Sequence, residues 1–202
     1  MRLYFRPGVC SLSPHIVLRE AGLPFTLENV NRETRLTASG VDLRTKNPKN
    51  VVPTLELDNG EILTEGAAMV QYIADQKPES KLAPRPGTME RYRLIEWLNY
   101  IATEMHKGFS PLFSPKINDE YRAAVRDALS AKLTYLDGVL AGKSYLTGEN
   151  FTIADAYLFT ILRWSPVAKL DIATFPNVKA YHDRIAARPA VTEALAAEKA
   201  AA

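Results

Sequence analysis

The sequence is poor in several residue types and patterns whose presence would suggest particular classes of protein. It has one cysteine in 202 residues, so no disulfide can form within the chain and its stability must come from a hydrophobic core. Its 25 Lys and Arg residues nearly balance its 23 Asp and Glu residues, which leaves a net charge of +2. Neither the first 80 residues nor the rest of the chain carries the concentrated basic field that a phosphate backbone requires. We therefore expect no nucleic-acid partner.

Long apolar runs are also missing. No window approaches the roughly 20 apolar residues of a membrane span. Met1–Phe5 runs directly into Arg6-Pro7-Gly8, without the apolar stretch of a signal peptide. Apolar residues still make up 47% of the chain, which is ordinary for a soluble globular protein. These observations predict a cytoplasmic protein with no membrane partner.

In the first 80 residues the sequence pattern changes between strand-like and helix-like about every ten to fifteen positions, which is typical of a small α/β domain. Apolar runs, capping residues and turn residues predict strand, helix, strand, short helix, strand, strand and helix at about 3–5, 13–21, 25–30, 34–45, 51–57, 61–63 and 65–76. The early βαβ unit implies parallel strands, and Asp58-Asn59-Gly60 closes a hairpin that adds an antiparallel edge.

The rest of the chain has only helical periodicity. Three prolines within 77–87 predict a linker, which we place at 81–87. Apolar residues at three- and four-residue spacing then predict helices at about 88–110, 119–141, from 152, 178–187 and 191–200. The expected organisation is an α/β domain at 1–80 and an all-helical domain at 88–202. The alanine-rich end from Ala194 is expected to be a fraying helix.

Cys10 lies between the first predicted strand and the first predicted helix. Because a helix N-terminus stabilises a thiolate, this placement makes Cys10 a candidate reactive thiol. A small buried hydrophobe is the alternative. The chain has no C-x-x-C pair, so redox chemistry at Cys10 would need an outside thiol.

Two further segments adjoin predicted elements of the same domain. Val52-Pro53 precedes the hairpin, where a proline marks a strand start or a cis peptide. Thr64-Glu65-Gly66 precedes a helix whose N–H groups could bind a carboxylate, while Glu65 could accept an ammonium group. On the residues alone, Thr64 and Glu65 are better interpreted as helix caps.

The helix containing His106 has a polar stripe of Asn99, Thr103 and His106 opposite its apolar one. Such a stripe is usually solvated surface. It could instead face a cleft, where His106 and Lys107 would supply a cation that favours a thiolate. Further along, Thr152 and Asp155 fit a capping box with Phe151 as its hydrophobic staple, which is a folding signal. His15 and His182 have no metal-ligand spacing and are interpreted as structural, and no metal is expected.

These features occur together in one order, and with it the chain resembles the glutathione S-transferases, most closely their bacterial beta class. The resemblance covers essentially the whole chain. It is carried by Pro7-Gly8-Val9-Cys10-Ser11-Leu12, Asn47-Pro48-Lys49, Val52-Pro53, Leu63-Thr64-Glu65-Gly66-Ala67, Glu96-Trp97-Leu98-Asn99-Tyr100-Ile101 and Phe151-Thr152-Ile153-Ala154-Asp155.

The resemblance implies a thioredoxin-like first domain, a helical second domain, a homodimer, and glutathione as co-substrate in the cleft between the domains. Its cysteinyl part would pair with Val52 before a cis Pro53, and Arg35 would hold its glycine carboxylate. The other implied contacts are Glu65 and Gly66 at the γ-glutamyl end, Thr103 and Glu104 from the partner subunit, and Cys10, Asn99, His106 and Lys107 on the sulfur side.

Three positions depart from the family pattern. Phe5 stands where many members have a tyrosine that donates to the glutathione sulfur, so activation by a phenol is excluded there. Gly66 replaces a common serine and loses its hydroxyl contact. Arg35 replaces a common lysine, which keeps the charge and changes the geometry.

The resemblance therefore implies a glutathione transferase that conjugates the glutathione thiolate to small, largely apolar electrophiles in a detoxification role, with Cys10 and His106 as catalytic residues. Glutathione-dependent disulfide or peroxide reduction through Cys10 is a second expected activity. A non-catalytic interaction or carrier protein on the same fold is the alternative, because fold does not fix function.

Overall fold

The computed structural model describes residues 1–201, which form two compact units. The first comprises Met1–Ala83 together with the chain from Arg188 onward, and the second comprises Pro84–Ala187. The sequence prediction placed everything after the linker in one helical domain, whereas here the last helix belongs to the first unit.

Helices make up most of the structure. In chain order the α-helices are α1 (Leu12–Glu20), α2 (Leu43–Lys46), α3 (Gly66–Asp75), α4 (Met89–Tyr100), α5 (Lys107–Phe109), α6 (Asp119–Leu140), α7 (Ile153–Leu162), α8 (Pro176–Ala186) and α9 (Pro189–Ala200). A π-helical segment, Ile101–His106, joins α4 to α5. No helix within residues 1–201 combines the length and hydrophobicity needed to cross a membrane.

The first unit contains one mixed sheet. Its strands are β1 (Arg2–Phe5), β2 (Thr26–Asn29), β3 (Thr54–Glu56) and β4 (Ile62–Leu63), in the spatial order β2-β1-β3-β4. β1 pairs in parallel with β2 and antiparallel with β3, and β3 pairs antiparallel with β4. The predicted βαβ unit followed by a hairpin edge is confirmed. Of the short helix predicted at 34–45, only the end overlaps a helix in the structure, α2.

Alternation along β1 gives the sheet two covered faces. Tyr4 packs with Val30 and Leu43 on one face. Phe5 points to the other, where its ring lies 6.2 Å from that of His15 in α1. Phe5 is 1% exposed, so this position is part of the core and offers no hydroxyl to a ligand.

Helix α9 is fixed to α1 by buried polar contacts. The Glu198 carboxylate is 3% exposed; it accepts the Gly8 backbone N–H at 3.1 Å and lies 3.3 Å from His15 Nδ1. Arg188 pairs with Glu20 at 2.6 Å. The prediction that the chain frays from Ala194 is wrong, because Ala194 and Glu198 are both buried in the first unit.

The second unit is built from the helical faces that the sequence predicts. The apolar stripe of α4 and the π segment is buried, as is that of α6: Leu94, Leu98, Ile101 and Met105, then Val125, Leu129, Leu133, Leu136 and Leu140. The capping box at α7 is confirmed, with the Asp155 carboxylate accepting from the backbone N–H and the hydroxyl of Thr152 at 2.8 Å each. That carboxylate also accepts from Leu146 N–H and the Tyr181 hydroxyl, which joins α8 to the start of α7.

Candidate functional site

Cys10 lies in a tight turn between β1 and α1. The Ser11 hydroxyl accepts the Arg6 N–H at 3.2 Å and donates to the Arg6 carbonyl at 3.0 Å, so it closes the turn on itself rather than capping α1. Cys10 is half-buried, and its Sγ donates to the Val52 carbonyl oxygen at 3.5 Å. The structure therefore places together two residues that the sequence singled out from segments 42 positions apart.

The segment before β3 presents its backbone at the same place. The Val52–Pro53 peptide bond is cis, as the resemblance implied. Asn47 holds this segment by donating from its side-chain amide to the Val51 carbonyl at 3.0 Å and to the Thr54 hydroxyl at 2.8 Å. The Val52 side chain also packs against the cluster of Tyr4, Val30 and Leu43, so the Val52 backbone has a fixed position.

Glu65 has a strained backbone at the start of α3. Its φ is +69°, a left-handed value that costs a residue with a Cβ free energy. Its side chain does not cap the helix, so the prediction of a capping role is wrong. Instead the carboxylate pairs with Lys49 Nζ at 2.7 Å, and Lys49 also donates to the Thr64 hydroxyl at 2.9 Å. A strained, exposed carboxylate beside an uncapped helix N-terminus suits a zwitterion, since each end has an oppositely charged partner.

Arg6 is a positively charged side chain that interacts with Cys10. Burial, with the like charges of Arg35 and Arg32, lowers the pKa of Arg6, while the Cys10 side chain opposes this shift. The buried Arg6 Nε has no hydrogen-bond partner within residues 1–201. Arg35 lies in the loop between β2 and α2 with φ +66°, and its carbonyl accepts the Leu43 N–H at 3.0 Å. Arg6 thus interacts electrostatically with two further guanidinium groups and with the Cys10 side chain, and guanidinium groups are suited to an anionic ligand.

The remaining predicted residues belong to the second unit. Thr103 and Glu104 are exposed on the π segment. The Thr103 hydroxyl donates to the Asn99 carbonyl at 3.0 Å, and Glu104 pairs with Lys132 of α6 at 2.9 Å. Lys107 is exposed at the start of α5. A π segment shifts the register of a helix, and such segments are frequent at functional sites.

His106 is set into an aromatic surround. Its Nδ1 lies 2.7 Å from the Tyr157 hydroxyl, and its ring meets Trp164 edge-on at 5.1 Å. Phe109 and Phe113 contact the same tryptophan at 6.1 and 5.4 Å. Burial, reinforced by the charge of Lys107, lowers the pKa of His106 to about 4. His106 is therefore neutral at pH 7, and of the expected pair only Lys107 is a cation.

No sequence motif predicts a role for Tyr157, Trp164, Arg6 or the Lys49–Glu65 pair. Tyr157 and Trp164 belong to an apolar stretch whose pattern is typical of core residues. Only their contacts with His106 in the structure distinguish them from other core side chains. Within residues 1–201 there is no cluster of three or more His, Cys, Asp or Glu side chains able to hold a metal ion.

Family comparisons agree with this arrangement. Residues 9–76 match the family model described as "Glutathione S-transferase, N-terminal domain", and residues 100–189 match "Glutathione S-transferase, C-terminal domain". The chain is 48% identical to glutathione S-transferase GstA of Escherichia coli O157:H7, over 98% of each chain. It is 35% identical to glutathione S-transferase GST-4.5 of Xanthomonas campestris pv. campestris, again over 98% of each.

Solved structures extend the comparison to three dimensions. A ternary complex of BphK, a bacterial GST, has a TM-score of 0.96 and 49% identity, covering 98% of this chain and 100% of that one. A beta-class enzyme from Sphingomonas chungbukensis has a TM-score of 0.94 and 48% identity, over 98% of both chains. A sphingomonad glutathione S-transferase, solved with glutathione, has a TM-score of 0.95 and 46% identity, over 98% and 99%. The expected fold class, a thioredoxin-like domain with a helical domain, is confirmed, and the chain belongs to the glutathione S-transferase family, with bacterial beta-class members among its structural neighbours.

Proposed function

We propose that this glutathione transferase binds one glutathione per subunit at the Cys10–Val52–Glu65 surface of the first unit and transfers its thiolate to small, largely apolar electrophiles. The observation that carries the proposal is the 3.5 Å contact between Cys10 Sγ and the Val52 carbonyl. A peptide that paired with the Val52 backbone would have its own cysteinyl residue beside Cys10, so the glutathione sulfur would lie next to that thiol.

The charges of the first unit fit the two ends of glutathione. The γ-glutamyl ammonium group would meet Glu65, and the γ-glutamyl carboxylate would meet the backbone at Gly66, where α3 begins without a side-chain cap. The glycine carboxylate would meet Arg35. A strained Glu65 supports this assignment, because strained residues persist mainly where function requires them.

The second unit would supply the sulfur side and the electrophile pocket. Asn99, His106 and Lys107 are assigned to the sulfur, and the aromatic side chains of Phe109, Phe113 and Trp164 to an apolar electrophile. Thr103 and Glu104 are assigned to the glutathione of a partner subunit, since both are exposed. A homodimer is further supported by large exposed side chains on α4 and α6, among them Met89, Tyr92 and Tyr135.

Conjugation is tested by initial rates with glutathione and 1-chloro-2,4-dinitrobenzene, a soft aromatic electrophile. Cys10→Ala should lower kcat/KM about tenfold or more, whereas Glu193→Ala, on the exposed face of α9, should leave it unchanged. Equal rates in the wild type and Cys10→Ala would remove Cys10 from the mechanism. Absence of glutathione-dependent turnover with any soft electrophile would remove conjugation itself.

A second activity of the same pocket is thiol–disulfide exchange. The Cys10 thiolate attacks glutathione disulfide, forms the Cys10–glutathione S–S bond and releases a glutathione thiolate, so no other oxidant is needed. Intact mass measured after incubation with glutathione disulfide should show one glutathionyl adduct, absent in Cys10→Ser. An unmodified wild-type mass would exclude this activity.

The non-catalytic alternative is not favoured. A carrier or interaction module has no need to retain the thiol at position 10 or the strained carboxylate at position 65, and this chain retains both. We further propose a cytoplasmic location and a role in detoxification, both of which are typical of this family.

A further inference from the structure

Lys49 is a cation held beside Glu65 at the start of α3. Its Nζ donates to Glu65 Oε1 at 2.7 Å and to the Thr64 hydroxyl at 2.9 Å. Its backbone N–H donates to the side-chain oxygen of Asn47 at 3.0 Å, and that asparagine is 1% exposed. The same Asn47 side chain holds the segment before β3. Lys49 is therefore fixed both at its backbone and at its ammonium group.

The ion pair between Lys49 and Glu65 leaves one donor and one acceptor unused. An ammonium group has three N–H donors, and Lys49 uses two of them within residues 1–201. The Glu65 carboxylate accepts through Oε1, while its Oε2 makes no hydrogen bond in that part of the chain. The Lys49 side chain is 54% exposed and the Glu65 side chain 71%, so a ligand can reach both charges without separating them.

The free end of an α-amino acid is complementary to such a pair. Its ammonium and carboxylate groups are separated by a single carbon atom, so its two charges lie as close together as those of Lys49 and Glu65. When the zwitterion lies head to tail on the pair, its ammonium group faces Glu65 and its carboxylate faces Lys49. The first N–H groups of α3 add donors for the carboxylate, because the Glu65 side chain does not cap this helix.

We propose that Lys49 is a specificity-determining residue that binds the α-carboxylate of the γ-glutamyl end, while Glu65 binds its ammonium group. The pair then selects thiol peptides with a free α-amino acid end over peptides that lack either charge. Lys49, Thr64 and Glu65 all belong to the first unit. This inference rests on the proposed function, which assigns the γ-glutamyl end to Glu65 and Gly66.

Calorimetric titration of the reduced protein with three peptides separates the two charges of the ligand. Glutathione carries both, γ-aminobutyryl-cysteinyl-glycine lacks the α-carboxylate, and glutaryl-cysteinyl-glycine lacks the ammonium group. Lys49→Met removes the charge from a side chain of similar length, so it should weaken the binding of glutathione and of the glutaryl peptide about three- to tenfold. The γ-aminobutyryl peptide should bind to Lys49→Met within about twofold of the wild type. Lys49→Arg keeps the charge and should retain most of the affinity for glutathione.

Three results would overturn the role of Lys49. Equal weakening of all three peptides in Lys49→Met means that the lysine acts through the position of Glu65 and not on the carboxylate of the ligand. Tighter binding of glutathione in Lys49→Met means that the lysine competes with the ligand ammonium group for Glu65. Unchanged binding of glutathione means that the pair takes no part in recognition.

Lys46→Met is the matched control. Lys46 lies three positions earlier and pairs with Glu56 of β3 at 2.6 Å, so its replacement should leave the binding of all three peptides unchanged. Circular dichroism of each variant confirms that the fold is retained. If the wild type binds no glutathione, the proposed function fails and the role of Lys49 fails with it. If the wild type binds glutathione and Lys49→Met binds it equally well, the role of Lys49 fails alone.

Discussion

Replacing Glu198 tests whether the end of the chain is a structural part of the first unit. Its carboxylate accepts from the Gly8 N–H at 3.1 Å and contacts His15 Nδ1 at 3.3 Å. Arg19 Nε donates to His15 Nε2 at 3.0 Å, so Nε2 has no proton and Nδ1 must donate to Glu198. Glu198→Ala therefore leaves the buried His15 N–H without its acceptor and removes one contact of the Gly8 N–H.

The magnitude of the effect follows from the buried His15 donor that is left unpaired. One unsatisfied buried donor costs about 1–3 kcal/mol, so Glu198→Ala should lower the free energy of unfolding by about 1–3 kcal/mol. Glu198→Gln keeps one acceptor oxygen and should cost less. Glu193→Ala is the matched control on the same helix: its carboxylate is 62% exposed and pairs with Arg19 at the surface, a type of pair worth about 0–1 kcal/mol.

Urea unfolding followed by far-UV circular dichroism measures the global effect. Hydrogen exchange in a peptide covering residues 1–12 measures the local effect, because Gly8 lies two positions before Cys10 in the turn. Exchange there should accelerate in Glu198→Ala and not in Glu193→Ala. If the two variants unfold within about 0.5 kcal/mol of each other and exchange alike, the buried network does not hold α9 and the reasoning is refuted.

Three further outcomes are expected. The pKa of His106 in the folded protein is about 4, below its ordinary value of 6.5, so the unfolded chain binds the proton more tightly. The free energy of unfolding should therefore fall as the pH drops from 6.5 towards 4. In urea titrations, the wild type should lose about 2 kcal/mol more than His106→Gln between pH 7 and pH 4.5. Glu65→Gly relieves the positive φ, so it should leave the free energy of unfolding equal or raise it by up to about 1 kcal/mol, while glutathione binding weakens about tenfold or more. Glu65→Ala should weaken the binding without that gain in stability. An Ala variant as stable as the Gly variant would argue against backbone strain at this position. Asp155→Asn should lower the melting temperature strongly because its carboxylate accepts four hydrogen bonds from three residues, whereas the exposed Asp183→Asn should not; equal melting temperatures would contradict the role of the capping network.

Local signals in the sequence were sufficient for most of the element order. The Asp58-Asn59-Gly60 turn and the apolar periodicity of α4 and α6 depend on short-range spacing, and the structure confirms the elements that they predict. The Thr152–Asp155 capping box is equally local and is also confirmed.

The errors come from long-range contacts and from backbone conformation. Glu198 is buried against Gly8, 190 positions away, and nothing in an alanine-rich end signals that partner. The sequence favours a helix-cap role for Glu65, because nothing in it predicts a positive φ at a residue other than glycine. The neutral charge state of His106 follows from the burial of its ring beside Tyr157 and Trp164, whereas its spacing from Asn99 and Thr103 indicated a polar stripe.

The central claim is that the first unit holds a glutathione site built around Cys10. Calorimetric titration of the reduced protein with glutathione tests it most directly, with Arg35→Ala and Glu65→Ala as variants at opposite ends of the peptide. Saturable binding at one site per subunit, weakened in both variants, is the predicted result. If the titration of glutathione into the folded, reduced protein gives no heat of binding, the account is contradicted.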